Sequence, residues 1–130
     1  MTRRYGGEAY RTLNEKLVGR CAQSRKLQNH TYAQRRPDGG IAIKLHATDV
    51  VTHYPDGRAV YRTGGWKTVM TKDRMNSHGL PGVCIYSDRG QWFIGELPYG
   101  NPEGKQRTPF AEGVEVRVLP SGEIKVKGGG

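Results

Sequence analysis

Ile41-Ala42-Ile43-Lys44-Leu45-His46, Val50-Val51-Thr52-His53-Tyr54 and Arg58-Ala59-Val60-Tyr61-Arg62-Thr63 are three consecutive runs whose reading decides the fold. In the first, apolar side chains recur at every second position, so Ile41, Ile43 and Leu45 share one face of a strand. Pro55-Asp56-Gly57 joins the second and third runs with a φ preset at proline and free at glycine, which are the demands of a tight turn. Ala47-Thr48-Asp49 reads as the connection between the first and second. Upstream, His30 to Arg36 forms another strand, closed by the turn chemistry of Pro37-Asp38-Gly39-Gly40. Four strands joined by three short turns predict an antiparallel meander.

Downstream, Gly64-Gly65-Trp66 interrupts the pattern as a sharp reversal that drops Trp66 into the core. Thr71 to His78 then reads as a short helix capped by Thr71 and stopped by Gly79 and Pro81. Val83-Cys84-Ile85-Tyr86 and Gln91-Trp92-Phe93-Ile94 make a hairpin across Ser87-Asp88-Arg89-Gly90. Trp66 and Trp92 could stack bases, but with aromatics at 8% of residues both are read first as core volume. Residues 97–109 carry three prolines and two glycines and read as a long mobile loop. In the terminal hairpin Val114, Val116 and Val118 face Ile124 and Val126, with Glu115, Arg117, Glu123, Lys125 and Lys127 on the wet side. Upstream of the meander, Ala9, Leu13 and Leu17 recur at helical spacing and predict a helix over Glu8 to Val18 ended by Gly19. Arg20 to Asn29 is polar and basic with little to bury, and is a loop or a second short helix.

The fold class expected is therefore α+β, mostly antiparallel sheet, as a partly closed barrel or bent sheet with two short helices against it. At 130 residues, one domain over 1–130 is expected, comprising a basic segment 1–29, a β-rich body 30–127 and a frayed glycine tail 128–130. No apolar run is long enough for a transmembrane helix, and no apolar stretch follows the basic start, so neither a membrane partner nor a secretory signal is expected. Cys21 and Cys84 are too few for a disulfide framework or a cysteine zinc site and fit free thiols in a reducing compartment.

Net charge is +9, and its distribution is uneven. Residues 1–36 hold nine Lys/Arg against Glu8 and Glu15. Such asymmetry points to a polyanionic partner, either nucleic acid or an acidic protein face.

Three ordered blocks resemble small proteins encoded by tailed bacteriophages. They are Arg25-Lys26-Leu27-Gln28-Asn29-His30-Thr31-Tyr32; Lys44-Leu45-His46-Ala47-Thr48-Asp49-Val50-Val51-Thr52 with Pro55-Asp56-Gly57; and Gly64-Gly65-Trp66-Lys67-Thr68 with Thr71-Lys72-Asp73-Arg74-Met75-Asn76. The chain departs from that pattern at His30, where a second Asn is usual. The resemblance implies a phage-encoded accessory protein in the cytoplasm of a bacterial host, and it carries no chemistry with it.

Arg25, Lys26, Arg35 and Arg36, with Tyr32 between the pairs and Lys44 across the turn, are the principal binding candidates. A basic strip broken by one aromatic suits a phosphate backbone, and equally suits a charged edge that discourages sheet-to-sheet pairing. Lys72 and Arg74, near a helix N-terminus, are secondary anion contacts or solvated charges beside a cap. His46, Asp49 and His53 are the densest set of metal-ligating types, yet they lack the spacing of known metal motifs and read first as turn and strand-end residues. No cofactor is called for. The first reading is a non-enzymatic protein that binds nucleic acid or a nucleic-acid-handling host complex. One alternative is an interaction module that inhibits or redirects an acidic host factor, and another is a small metal-dependent hydrolase or nuclease.

Overall fold

The computed structural model describes residues 6–80, 82–96, 108–119 and 124–127. The elements run α1 Gly6–Lys16, a 3₁₀ turn Gly19–Cys21, β1 Ser24–Gln28, β2 Thr31–Arg35, β3 Ile41–Leu45, β4 Thr48–His53, β5 Arg58–Tyr61, α2 Val69–His78, β6 Val83–Asp88, β7 Gln91–Glu96, β8 Thr108–Pro109, β9 Val114–Val118 and β10 Ile124–Lys127. The fold is α+β and rich in antiparallel sheet, as the strand pattern predicts. A seven-stranded sheet runs β1-β2-β3-β4-β5-β9-β10, and a three-stranded one runs β6-β7-β8. Neither sheet closes into a barrel: β1 and β10 are the edges of the larger one.

Hydrogen-bond register sorts the large sheet into alternating rows. Ala33, Ile43, Val51, Tyr61 and Val114 stand side by side on one face, and Ile41, His53, Ala59 and Val116 form the next row on that face. All nine are buried and make the floor of the core. Leu13 and Leu17 from the α1 end, Met75 of α2, Leu80, and Ile85, Trp92 and Ile94 of the small sheet close over it. Full burial of each large aliphatic side chain stabilises the fold by about 1.5–3 kcal/mol, so this one-sided core holds both helices and the small sheet against the same face. Among the described residues, the opposite face of the large sheet carries no such layer. Its central row, Ser24, Gln34, Ala42, Thr52, Val60, Glu115 and Lys127, crosses all seven strands and is polar except at Ala42 and Val60.

Local chemistry accounts for the turns. The Asp38 carboxylate accepts from the Gly40 N–H at 3.0 Å and from the Tyr54 hydroxyl at 2.7 Å, which closes the β2–β3 turn and ties it to β4. These hydrogen bonds, the Gly40 amide foremost, hold the Asp38 carboxyl below its ordinary pKa. Gly57 has φ of +95°, the conformation that its place after Pro55-Asp56 demands.

Four local expectations are corrected. Arg20 to Asn29 is neither loop nor helix beyond the 3₁₀ turn, because Ser24–Gln28 pairs with β2 as an edge strand. The meander thus has five strands, β1 to β5. The β3–β4 connection is only His46-Ala47, with Thr48 and Asp49 already in β4. Thr68, not Thr71, caps α2: its backbone is extended and its hydroxyl accepts from the Thr71 N–H at 3.1 Å. Finally, Trp66 is 69% exposed, whereas Trp92 is 8% exposed as expected of core volume. The long loop foreseen at 97–109 lies outside the described residues except at its last two positions, and the glycine tail lies wholly outside them.

Candidate functional site

Strand parity divides the basic strip read from the sequence. Lys26 is opposite Tyr32, and Tyr32 is opposite Lys44, so these three stand in one row across β1, β2 and β3 on the uncovered face. Adjacent strands lie about 4.8 Å apart, which puts the two lysine stems roughly 10 Å apart with the phenol ring midway. Tyr32 is 40% exposed. Neither lysine has an ion-pair or hydrogen-bond partner among the described residues. The next residue of the row, Asp49 on β4, faces Lys44, but its carboxylate is bound by the Arg36 guanidinium.

The other candidates point elsewhere. Arg35 belongs to the core-side parity, where its Nε donates to the Ala22 carbonyl at 2.8 Å and its Nη2 to the Leu17 carbonyl at 3.1 Å. It thereby satisfies backbone acceptors left free as the chain leaves α1. Arg25 sits in the Ala33 row and its Nη1 donates to the Lys16 carbonyl at 3.3 Å. Arg74 is 8% exposed; its Nε donates to Thr31 Oγ1 at 2.8 Å and its Nη1 is paired with Asp73. This side chain braces α2 against the β1–β2 turn. Lys72 donates to Ser87 Oγ at 3.2 Å and lies 5.7 Å over the Trp92 ring.

His46, Asp49 and His53 are dispersed. The His46 ring stacks on His30 at 4.6 Å, Asp49 holds Arg36, and His53 is buried on the core side with Nε2 2.7 Å from the His78 carbonyl. Burial lowers the His53 pKa from 6.5 to about 4, against the opposing pull of that hydrogen bond. Among the described residues no three His, Cys, Asp or Glu side chains gather in a metal-binding group.

A family model describing the Kyanoviridae Gp96 protein matches residues 11–117. The chain belongs to the Kyanoviridae Gp96 protein family, a family of phage proteins. The matched span runs from α1 into β9, so the Lys26–Tyr32–Lys44 row and Trp66 are within the part of this Gp96-family chain that defines membership. Neither the curated proteins nor the solved structures yield a match. No helix among the described residues is long and apolar enough to cross a membrane.

Sequence reasoning missed the aromatic end of the sheet. The β1–β2 and β3–β4 turns lie side by side, tied by the His46 N–H donating to the His30 carbonyl at 3.0 Å. His30 and His46 have φ of +56° and +55°, a conformation uncommon for a side chain that is not glycine. Gly64 completes this end: a Cβ there would stand 2.7 Å from Thr48 Oγ1, so only glycine lets the Trp66 loop approach β4. The available signal was the Gly64-Gly65 pair, which permits an outward turn as readily as an inward one.

Proposed function

We propose that this Gp96-family protein binds nucleic acid in the infected bacterial cell, through phosphate contacts from Lys26 and Lys44 and stacking on Tyr32. The observation that carries the reading is the row itself: one ring, 40% exposed, between two lysines that have no ion-pair partner among the described residues, on the sheet face opposite the core. Lysine ammonium groups at that spacing suit successive anionic groups of a backbone, and a phenol face between them suits a base irrespective of its identity. The uncommitted cations favour a polyanion over an apolar partner.

Fluorescence anisotropy with labelled single-stranded and duplex oligonucleotides at ~50 mM salt tests this, because non-specific electrostatic attachment is strong there. Saturable binding that weakens steeply with added salt is the expected result. Absence of binding to DNA and RNA alike would reassign the row to an acidic protein partner.

A further inference from the structure

Around the hairpin tip from Lys44, the wall of the sheet opens into a cavity of about 410 Å³. Leu45 and Val50 form its apolar floor, His46 and Thr48 one side, and Trp66 and Met70 its mouth. Among the described residues no carboxylate lines it. We propose that this cavity receives an unpaired nucleobase, stacked on Trp66, from the strand whose phosphates lie on Lys26 and Lys44. The inference rests on the nucleic-acid reading and adds to it a choice of single strands over duplex.

Three independent observations converge on a base. Trp66 and Met70 are exposed at 69% and 40%, so the mouth presents an indole and a thioether to solvent that the core does not use. The loop is held in that pose. One Glu112 oxygen accepts from the Thr63 N–H at 2.8 Å and from the Thr63 hydroxyl, and the other accepts from the Gly64 N–H at 3.1 Å. Trp66 N–H donates to the Thr63 carbonyl at 3.0 Å, which closes the turn. An aromatic side chain carried outward on a loop braced in this way offers a stacking platform without the cost of ordering that loop. Charge supplies the third observation: Lys44 precedes the cavity residue Leu45, Lys67 follows Trp66, and neither lysine has a carboxylate partner among the described residues.

The geometry also explains why a duplex held on the lysine row leaves the cavity empty. A base must leave its stack to turn over the His46-Ala47 tip and enter between Trp66 and Thr48, and in single strands that unstacking is least costly. The Thr48 hydroxyl has no hydrogen-bond partner among the described residues and is available to the edge of a base. Any of the four bases offers a π-face to Trp66, so the site selects unpaired bases without a strong sequence preference.

Tryptophan emission makes the test direct, because Trp66 is exposed and Trp92 is buried. Wild type, Trp66→Ala and Trp66→Phe are titrated with poly(dT), poly(U) and duplex DNA. Both single strands, or the one with the preferred sugar, are expected to quench the wild-type emission. Duplex is expected to bind without that quenching. Trp66→Ala should lose roughly 5- to 150-fold in single-strand affinity and change less than about twofold on duplex, with Trp66→Phe retaining most of the affinity. Its melting temperature should match wild type, since the ring is outside the core. Single-strand binding that leaves the emission unchanged, or equal losses on both substrates, overturns the base pocket while leaving the nucleic-acid reading intact. No binding of wild type to any probe overturns both.

Discussion

The uncovered face of the large sheet has two ends, both cationic. At the β1–β3 end stand Lys26, Tyr32 and Lys44, with Asp49 held by Arg36. At the β5–β10 end stand Arg58, Arg117, Lys125 and Lys127, with Asp56 holding Arg58 and Arg117 and Glu115 holding Arg58. Among the described residues, each end keeps two lysines with no ion-pair partner, so net charge does not distinguish them. The tyrosines do. Tyr32 lies bare between its lysines, whereas the Tyr54 ring is covered by the Arg58 guanidinium at 4.1 Å and its hydroxyl is committed to Asp38. A shared positive charge therefore offers general attraction, and the uncovered ring makes one end a site.

The largest expected effect removes both ends together. His53 lies under the middle of the sheet, neutral and buried, with a folded pKa of about 4 against an ordinary 6.5. The unfolded chain takes up the proton first as pH falls. Stability should then be full above pH 6.5 and decline toward pH 4 by a total on the order of 3 kcal/mol. His78, lowered by burial and by the charges of Arg74 and Lys16, acts in the same direction. Urea midpoints measured across that range check this, and a midpoint unchanged between neutral and mildly acidic pH would contradict it.

A second change should loosen one end only. Arg74→Met leaves Thr31 Oγ1 and the Asn29 carbonyl without the donor that braces them. We expect a loss of about 2 kcal/mol in stability, with faster amide exchange at the β1–β2 turn and none at β9–β10. Uniform acceleration through both hairpins would mean that Arg74 supports the whole core rather than this turn.

The third change addresses the rings. Tyr32→Leu should weaken single-strand binding by about 1–2 kcal/mol and leave duplex binding unaltered, while Tyr54→Leu should alter neither. Comparable losses from both substitutions would erase the difference between the ends.

Much of this was legible in the sequence, for physical reasons that can be named. Ile41, Ile43 and Leu45 of β3 and Ala59 and Tyr61 of β5 recur at every second position because one face meets the core, while β4 keeps its strand character through a register shift that buries both Val50 and Val51, and Pro55-Asp56-Gly57 can only be a turn. β1 was illegible because an edge strand with Leu27 as its main apolar side chain is held by backbone hydrogen bonds to β2, which leave no mark on composition. The basic strip was seen as one surface although strand parity already divides it: Arg35 and Tyr32 are three positions apart and must face opposite ways. Arg35 then found backbone carbonyls, a role that depends on where α1 ends in space. Trp66 was assigned to the core by volume. Its outward pose comes from Glu112, a residue 46 positions later in the chain; burial alone would raise that carboxyl's pKa, but the hydrogen bonds from Thr63 and Gly64 outweigh it and hold the value low.

The salt dependence of single-strand affinity, compared between Lys26→Gln/Lys44→Gln and Lys125→Gln/Lys127→Gln, tests the central claim most directly. The two variants remove the same charge from the two ends. The account predicts that the first lowers affinity by roughly 60-fold at ~50 mM salt and reduces the log–log slope by about 1.4, the loss of two phosphate contacts on a single strand, while the second stays within about twofold of wild type. Equal losses from the two variants would contradict it, because binding would then follow the total charge of the sheet and not the row built around Tyr32.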